Sequence, residues 1–97
     1  MVDTSKYTVS LLSSAKEDIK ELFEYILSDN PDAAKNWLHK LNEAMTNLSL
    51  FPFKNPAFKY TSIPCRKMIF NKNIAVIYTV KDKDIYILHC FRCKKDF

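Results

Sequence analysis

Residues 65–92 read CRKMIF-NKN-IAVIYTV-KDKD-IYILHCFR. Three runs, 65–70, 74–80 and 85–92, are rich in β-branched and aromatic residues and are separated by Asn71-Lys72-Asn73 and Lys81-Asp82-Lys83-Asp84. That pattern predicts three strands joined by two consecutive hairpins. The chain has no glycine, so Asn and Asp must serve wherever a turn needs positive φ; Asn71, Asn73, Asp82 and Asp84 are expected to do so.

Upstream, Phe51 to Pro64 contains three prolines, no helical period and scattered aromatics, and reads as a connecting loop. Before it, Ala34, Trp37, Leu38, Leu41, Met45 and Leu48 mark one face of a helix opened by Asn30 as N-cap and Pro31 in the first turn, and ended before Pro52. An earlier helix carries Ala15, Ile19, Leu22, Phe23, Ile26 and Leu27 on one face. It is expected to start at a Ser14–Glu17 capping box and run to Leu27 or Ser28. Tyr7, Val9 and Leu11 alternate with polar residues, so residues 6–12 predict a short opening strand. The fold expected is α+β in the order β-α-α-β-β-β: a small, mainly antiparallel sheet with a helical hairpin on one face and the other face open.

Ninety-seven residues suffice for one domain with one core. With 47% apolar and 27% charged residues the composition is that of a folded chain. No apolar run reaches the roughly 20 residues that span a bilayer, and the polar opening Met1–Lys6 lacks the apolar core of a signal peptide, so a cytoplasmic location without membrane contact is expected. Three cysteines in such a chain argue for free thiols rather than a disulfide framework. Charge is uneven. Residues 1–51 hold five Lys against eight Asp and Glu, whereas residues 52–97 hold eight Lys and two Arg against three Asp. A basic second half suits an anionic partner, either a nucleic acid or an acidic protein segment, unless it is only a solvated face.

The candidate chemistry lies in that half. Arg66 and Lys67 open one strand, while Arg92, Lys94 and Lys95 follow the last, and adjacent strands would bring them together around phosphate oxygens; the plainer role of such cations is to guard sheet edges. His89, in an apolar strand two residues after Ile87, suits a general acid or base, or else a half-buried ring holding a carbonyl. It shares a face with Arg92 only if the strand bends or bulges between them. Cys90-x-x-Cys93, with Cys65 and His89, offers zinc-ligand types but no second paired element, so no metal and no cofactor is expected, and Ser at either Cys90 or Cys93 should change little. A paper triad of Ser13, His89 and Asp96 lacks a nucleophile elbow. Trp37 and Tyr78 fit the core, whereas Phe53, Phe58 and Tyr60 are the aromatics available to a partner.

Over nearly its full length the chain resembles the RelE/ParE toxins. The resemblance rests on Tyr7-Thr-Val-Ser-Leu11, Ala15-Lys-Glu-Asp18, Tyr25-Ile26, Asn30-Pro-Asp-Ala-Ala34, Trp37-x-x-x-Leu41, Leu48-x-x-x-Pro52, Arg66, Ile77-Tyr78-x-Val80 and Ile87-Leu-His89-x-x-Arg92. It implies the toxin of a bacterial type II toxin–antitoxin pair, bound by a cognate antitoxin in a hetero-oligomer. RelE-like members cleave mRNA on the ribosome; ParE-like members poison DNA gyrase.

Carried over by position, Arg66 stands where RelE-like toxins place a basic residue and Arg92 near their late catalytic arginine, with His89 as a third catalytic candidate and Lys67, Lys94 and Lys95 as target- or nucleic-acid-binding residues. Two parts of the nuclease set have no counterpart. Ala75 stands where RelE has an arginine before the central Val/Ile-Tyr pair, and no tyrosine follows the last strand. The expectation therefore leans to ParE-like gyrase inhibition, with ribosome-dependent mRNA cleavage as the alternative and an inactive, antitoxin-binding subunit as a third.

Overall fold

A computed structural model describes residues 6–59 and 62–93; Tyr60, Lys94, Lys95 and Asp96 lie outside the described residues. The elements are β1 (Thr8–Leu11), α1 (Ser13–Asp29), α2 (Pro31–Leu50), β2 (Ala57–Lys59), β3 (Pro64–Phe70), β4 (Ile74–Lys81) and β5 (Asp84–Arg92). They form one sheet in the order β1-β5-β4-β3-β2, antiparallel except where β1 runs parallel to β5. The α+β architecture and both hairpins are as the sequence predicts.

The loop expected over 51–64 contains one strand. Ala57–Lys59 pairs antiparallel with Pro64–Arg66 at the sheet edge. Three residues between prolines are too few to show a period of two, so only pairing with β3 defines the strand.

The tight turns use positive φ at Asn71, Lys72 and Asp82. Asn71 and Asp82 were expected; Asn73 and Asp84 are not in that region, and Lys72, with no local side-chain compensation for left-handed backbone, takes it up in their place.

The helix caps also divide. Asn30 behaves as predicted, its side-chain oxygen accepting from the N–H groups of Asp32 and Ala33, each at 3.1 Å, ahead of Pro31. At α1 the capping box does not form: Leu12 is the N-cap residue, no side chain caps the helix, and the Ser14 hydroxyl donates to the Leu88 carbonyl at 2.7 Å. That carbonyl belongs to a β-bulge. Ile77 pairs with His89 and Tyr78 with Ile87, so Leu88 is an extra residue in β5.

Both helices turn their apolar stripes onto one face of the sheet. Ala15, Trp37, Leu41 and Leu48 are buried with Met68, Phe70, Ile74, Val76, Tyr78, Ile85, Ile87 and Cys90, and Ile19, Leu22, Phe23 and Ile26 close the side. Trp37 packs edge-on against Phe70, ring centroids 6.2 Å apart, so Trp37 and Tyr78 are core residues. The reverse face, expected to be open, is so only in part: Ile69 and Phe91 are exposed there, but Cys65, Ala75 and Ile77 are buried. Among the described residues no helix is long and apolar enough to cross a membrane.

Candidate functional site

The bulge at Leu88 decides where the end of β5 points. Ile85 and Ile87 face the helices; past the extra residue the alternation resumes one step out, so that Cys90 and Arg92 face the helix layer and His89 the reverse. A bulge thus exists, but it precedes His89 and leaves His89 and Arg92 on opposite faces.

β1 ends opposite Ile87, which leaves the outer edge of β5 beyond that point without a strand partner there. The first turns of α1 take that place. Leu12 donates its backbone N–H to the Ile87 carbonyl at 3.1 Å, Ser14 serves the Leu88 carbonyl, and one turn later the Asp18 carboxylate accepts the Cys90 N–H at 3.0 Å. Residues four apart on a helix lie one above the other, so Ser14 and Asp18 form a ladder of side chains along the strand edge. The same Asp18 oxygen lies 2.9 Å from His89 Nδ1. A carboxylate only accepts, so Nδ1 carries the proton and the ring is fixed in one orientation. Farther along, the Arg92 guanidinium lies over the Tyr25 ring, 5.0 Å from its centroid. Asp18 is the residue here that the sequence reading missed; its spacing from Ser14 was the available signal.

At the opposite end of the sheet, Arg66 is enclosed by the chain that follows α2. Its Nη1 donates to the Asn55 carbonyl at 2.5 Å and to the Phe53 carbonyl at 3.4 Å, and its guanidinium lies 5.1 Å from the centroid of the Phe53 ring. Beneath it, the buried Tyr78 hydroxyl donates to the Pro52 carbonyl at 2.7 Å and accepts from Asn55 Nδ2 at 3.2 Å. Burial pushes the Tyr78 hydroxyl above its ordinary pKa of 10, opposed by the Asn55 hydrogen bond and the charge of Arg66.

The expected meeting of Arg66 with Arg92 does not occur. β4 separates β3 from β5, Arg66 pairs with Tyr78, and Arg92 pairs with Ile74; two strand spacings and four residues place them roughly 10 Å and 13 Å apart in the two directions. Lys67 lies on the reverse face with its Nζ 4.8 Å from the Phe58 ring centroid. Lys94 and Lys95 are outside the described residues.

The cysteines do not gather either. Cys65 and Cys90 are both buried, but strand alternation puts them on opposite faces, and among the described residues no group of three His, Cys, Asp or Glu side chains is placed to hold a metal ion. The Cys90 thiol is pushed up to about 12, first by burial and then by the Asp18 carboxylate. Replacement by Ser, expected to be mild, would put a more polar hydroxyl into this apolar position, so the expectation stands only for the half-exposed Cys93.

The model of the family described as "ParE toxin of type II toxin-antitoxin system, parDE" matches residues 9–97. Among solved structures, the chain is similar to the chromosomal ParDE toxin–antitoxin system of P. aeruginosa, with a TM-score of 0.78 at 15% identity over 94% of this chain and 100% of the other. It is also similar to the RelBE2 toxin–antitoxin complex of Mycobacterium tuberculosis, at TM-score 0.60 and 18% identity over 90% and 98% of the two chains. A conserved hypothetical protein of Helicobacter pylori follows at TM-score 0.55 and 22% identity, over 89% and 93%. No curated protein matches the sequence.

Proposed function

The chain belongs to the ParE toxin family of type II toxin–antitoxin systems, and from that premise we propose that it arrests bacterial growth by binding DNA gyrase through its surface, without nucleolytic chemistry of its own, and that a cognate antitoxin neutralises it. The observation that supports this reading is the separation of the two arginines. RNA cleavage needs a base, an acid and positive charge converging on one phosphate. Here Arg66 is bound to loop carbonyls at one end of the sheet, Arg92 is at the other, and His89 faces away from Arg92 with its Nδ1 held by Asp18.

Antitoxin partnership is supported by the relatives, since the P. aeruginosa and M. tuberculosis structures are both of toxin–antitoxin systems. Gyrase binding is tested by adding the purified chain to gyrase and supercoiled plasmid and measuring cleaved plasmid after protein denaturation. Linear DNA accumulating in proportion to added chain is the expected result. Unchanged supercoiling and cleavage, together with cut mRNA when the chain is added to translating ribosomes, would replace this reading with the nuclease one.

A further inference from the structure

Four side chains from four separate segments form a continuous row at the Arg66 end of the molecule. Lys83, in the β4–β5 turn, places its Nζ 4.8 Å from the Tyr7 ring centroid. The Tyr7 ring meets Phe53 edge to face, centroids 6.1 Å apart and planes at 86°, and Phe53 in turn carries the Arg66 guanidinium. We propose that this row, Lys83–Tyr7–Phe53–Arg66, is a binding surface for single-stranded nucleic acid, a reading that does not depend on gyrase being the target.

Three features carry the proposal. First, the row is held in place before any ligand arrives. Thr8 N–H donates to the Lys83 carbonyl at 2.9 Å and Tyr7 N–H to the Ser49 carbonyl at 3.0 Å, while Tyr78 and Arg66 pin the loop that bears Phe53. A surface ordered in advance spends less of its binding energy on immobilisation. Second, its central ring is open to solvent: Phe53 is 55% exposed and its neighbour Phe51 57%, while Tyr7 is half-buried and packs against the core, which anchors the row. Third, its cations are not held in ion pairs. Among the described residues the only ion pairs are His39–Glu43 and His89–Asp18, so Arg66 and Lys83 rest on rings rather than against carboxylates, and neither Asp82 nor Asp84 beside Lys83 is within ion-pairing distance of a cation. A ring fixes a cation's position without cancelling its charge. Lys6, Lys54 and Lys81 stand within two residues of the row in sequence and are exposed.

The chemistry of Arg66 distinguishes the ligand. An acidic peptide is best gripped by a guanidinium fork presented outward to a carboxylate, but Nη1 of Arg66 is committed to two carbonyls and its flat face to Phe53. What remains is diffuse positive charge beside the exposed Phe53 ring. That combination suits unstacked bases joined by phosphates, since every base stacks on an aromatic ring and the backbone follows the cations. A duplex keeps its bases stacked inside and offers nothing to the rings.

Fluorescence anisotropy of the full chain with labelled thymidine and uridine oligonucleotides of about a dozen residues tests this. Binding of either strand with a dissociation constant of about 1–100 µM at physiological salt, weaker binding of the matching duplex, and a loss of roughly 5- to 100-fold in Phe53→Ala are expected; the two arms tell DNA from RNA. Lys83→Gln should flatten the dependence of log affinity on log salt by about 0.7, while Lys35→Gln on exposed α2 should leave it unchanged. Circular dichroism confirms that each variant is folded, and Phe53→Leu, which keeps an apolar side chain but no ring, repeats the stacking test if Phe53→Ala is not. No binding by wild type, equal binding by a folded variant without the ring, preference for duplex, or displacement of the oligonucleotide by a glutamate peptide of equal charge would each overturn the proposal.

Discussion

Arg66 and Arg92 occupy similar places in the sequence, each in a strand followed or preceded by an apolar residue and both in the basic half of the chain. Their surroundings in the fold differ. Arg66 ties down two loop carbonyls and a ring beside a buried tyrosine, and Arg92 rests on one exposed ring of α1. The neighbouring buried acids differ in the same sense: Cys90, near the Arg92 end, feels the negative charge of Asp18 added to its burial, whereas Tyr78 feels the positive charge of Arg66 acting against it. The fixed groups around a cation in such a small fold decide how much of its bonding capacity goes into the frame, and Arg66 commits far more of it than Arg92.

The largest expected contrast between the ends appears at alkaline pH. The Cys90 pKa is raised in the folded state from 9 to about 12, so the unfolded chain loses its proton first. The stability this thiol contributes is whole below pH 9 and is lost as pH rises from 9 to about 12, at a slope near 1.4 kcal/mol per pH unit. Denaturant titrations at pH 8, 9.5 and 11 should show that slope in wild type and a flatter one in Cys90→Ala. Equal slopes would mean that the Arg66 end, through Tyr78, governs alkaline unfolding instead.

Arg66→Ala should cost about 2–4 kcal/mol, since it removes charge-assisted bonds to two carbonyls and a cation–ring contact. The same titration at neutral pH measures it. Asp18→Ala, which leaves the Cys90 N–H and the His89 ring without their acceptor, should cost about 1–3 kcal/mol and speed hydrogen exchange at Cys90 above all. Smallest is Arg92→Ala, below about 1 kcal/mol in stability. If Arg92→Ala destabilised as much as Arg66→Ala, the two ends would not differ as described.

The parts of this arrangement that the sequence made legible are those written in short-range pattern. Three strands of β-branched residues, two turns, two amphipathic faces and the Asn30-Pro31 cap each depend on residues within one element, and each is where the pattern puts it. The missed features depend on contacts between elements. The alternation Ile85, Ile87, His89 gives no sign of the bulge at Leu88, because an inserted residue shifts facing without changing composition. Ser14 carries a cap signature, yet the free edge of β5 offers its hydroxyl a carbonyl that becomes visible only once β1 is seen to stop at Leu11. Asp18 reads as one more acid on a solvated helix until Cys90 and His89 are placed beside it. The expected meeting of Arg66 with Arg92 overlooked what the two consecutive hairpins already imply: β4 lies between their strands and keeps them apart.

The central claim, a toxin that acts through its surface and not by cutting RNA, is tested most directly by inducing the chain alone in bacteria while pulse-labelling new DNA and new protein in parallel. Early loss of DNA synthesis with an induced damage response, and with transcripts intact, is the predicted result. Loss of translation first, with cleaved transcripts, would contradict it.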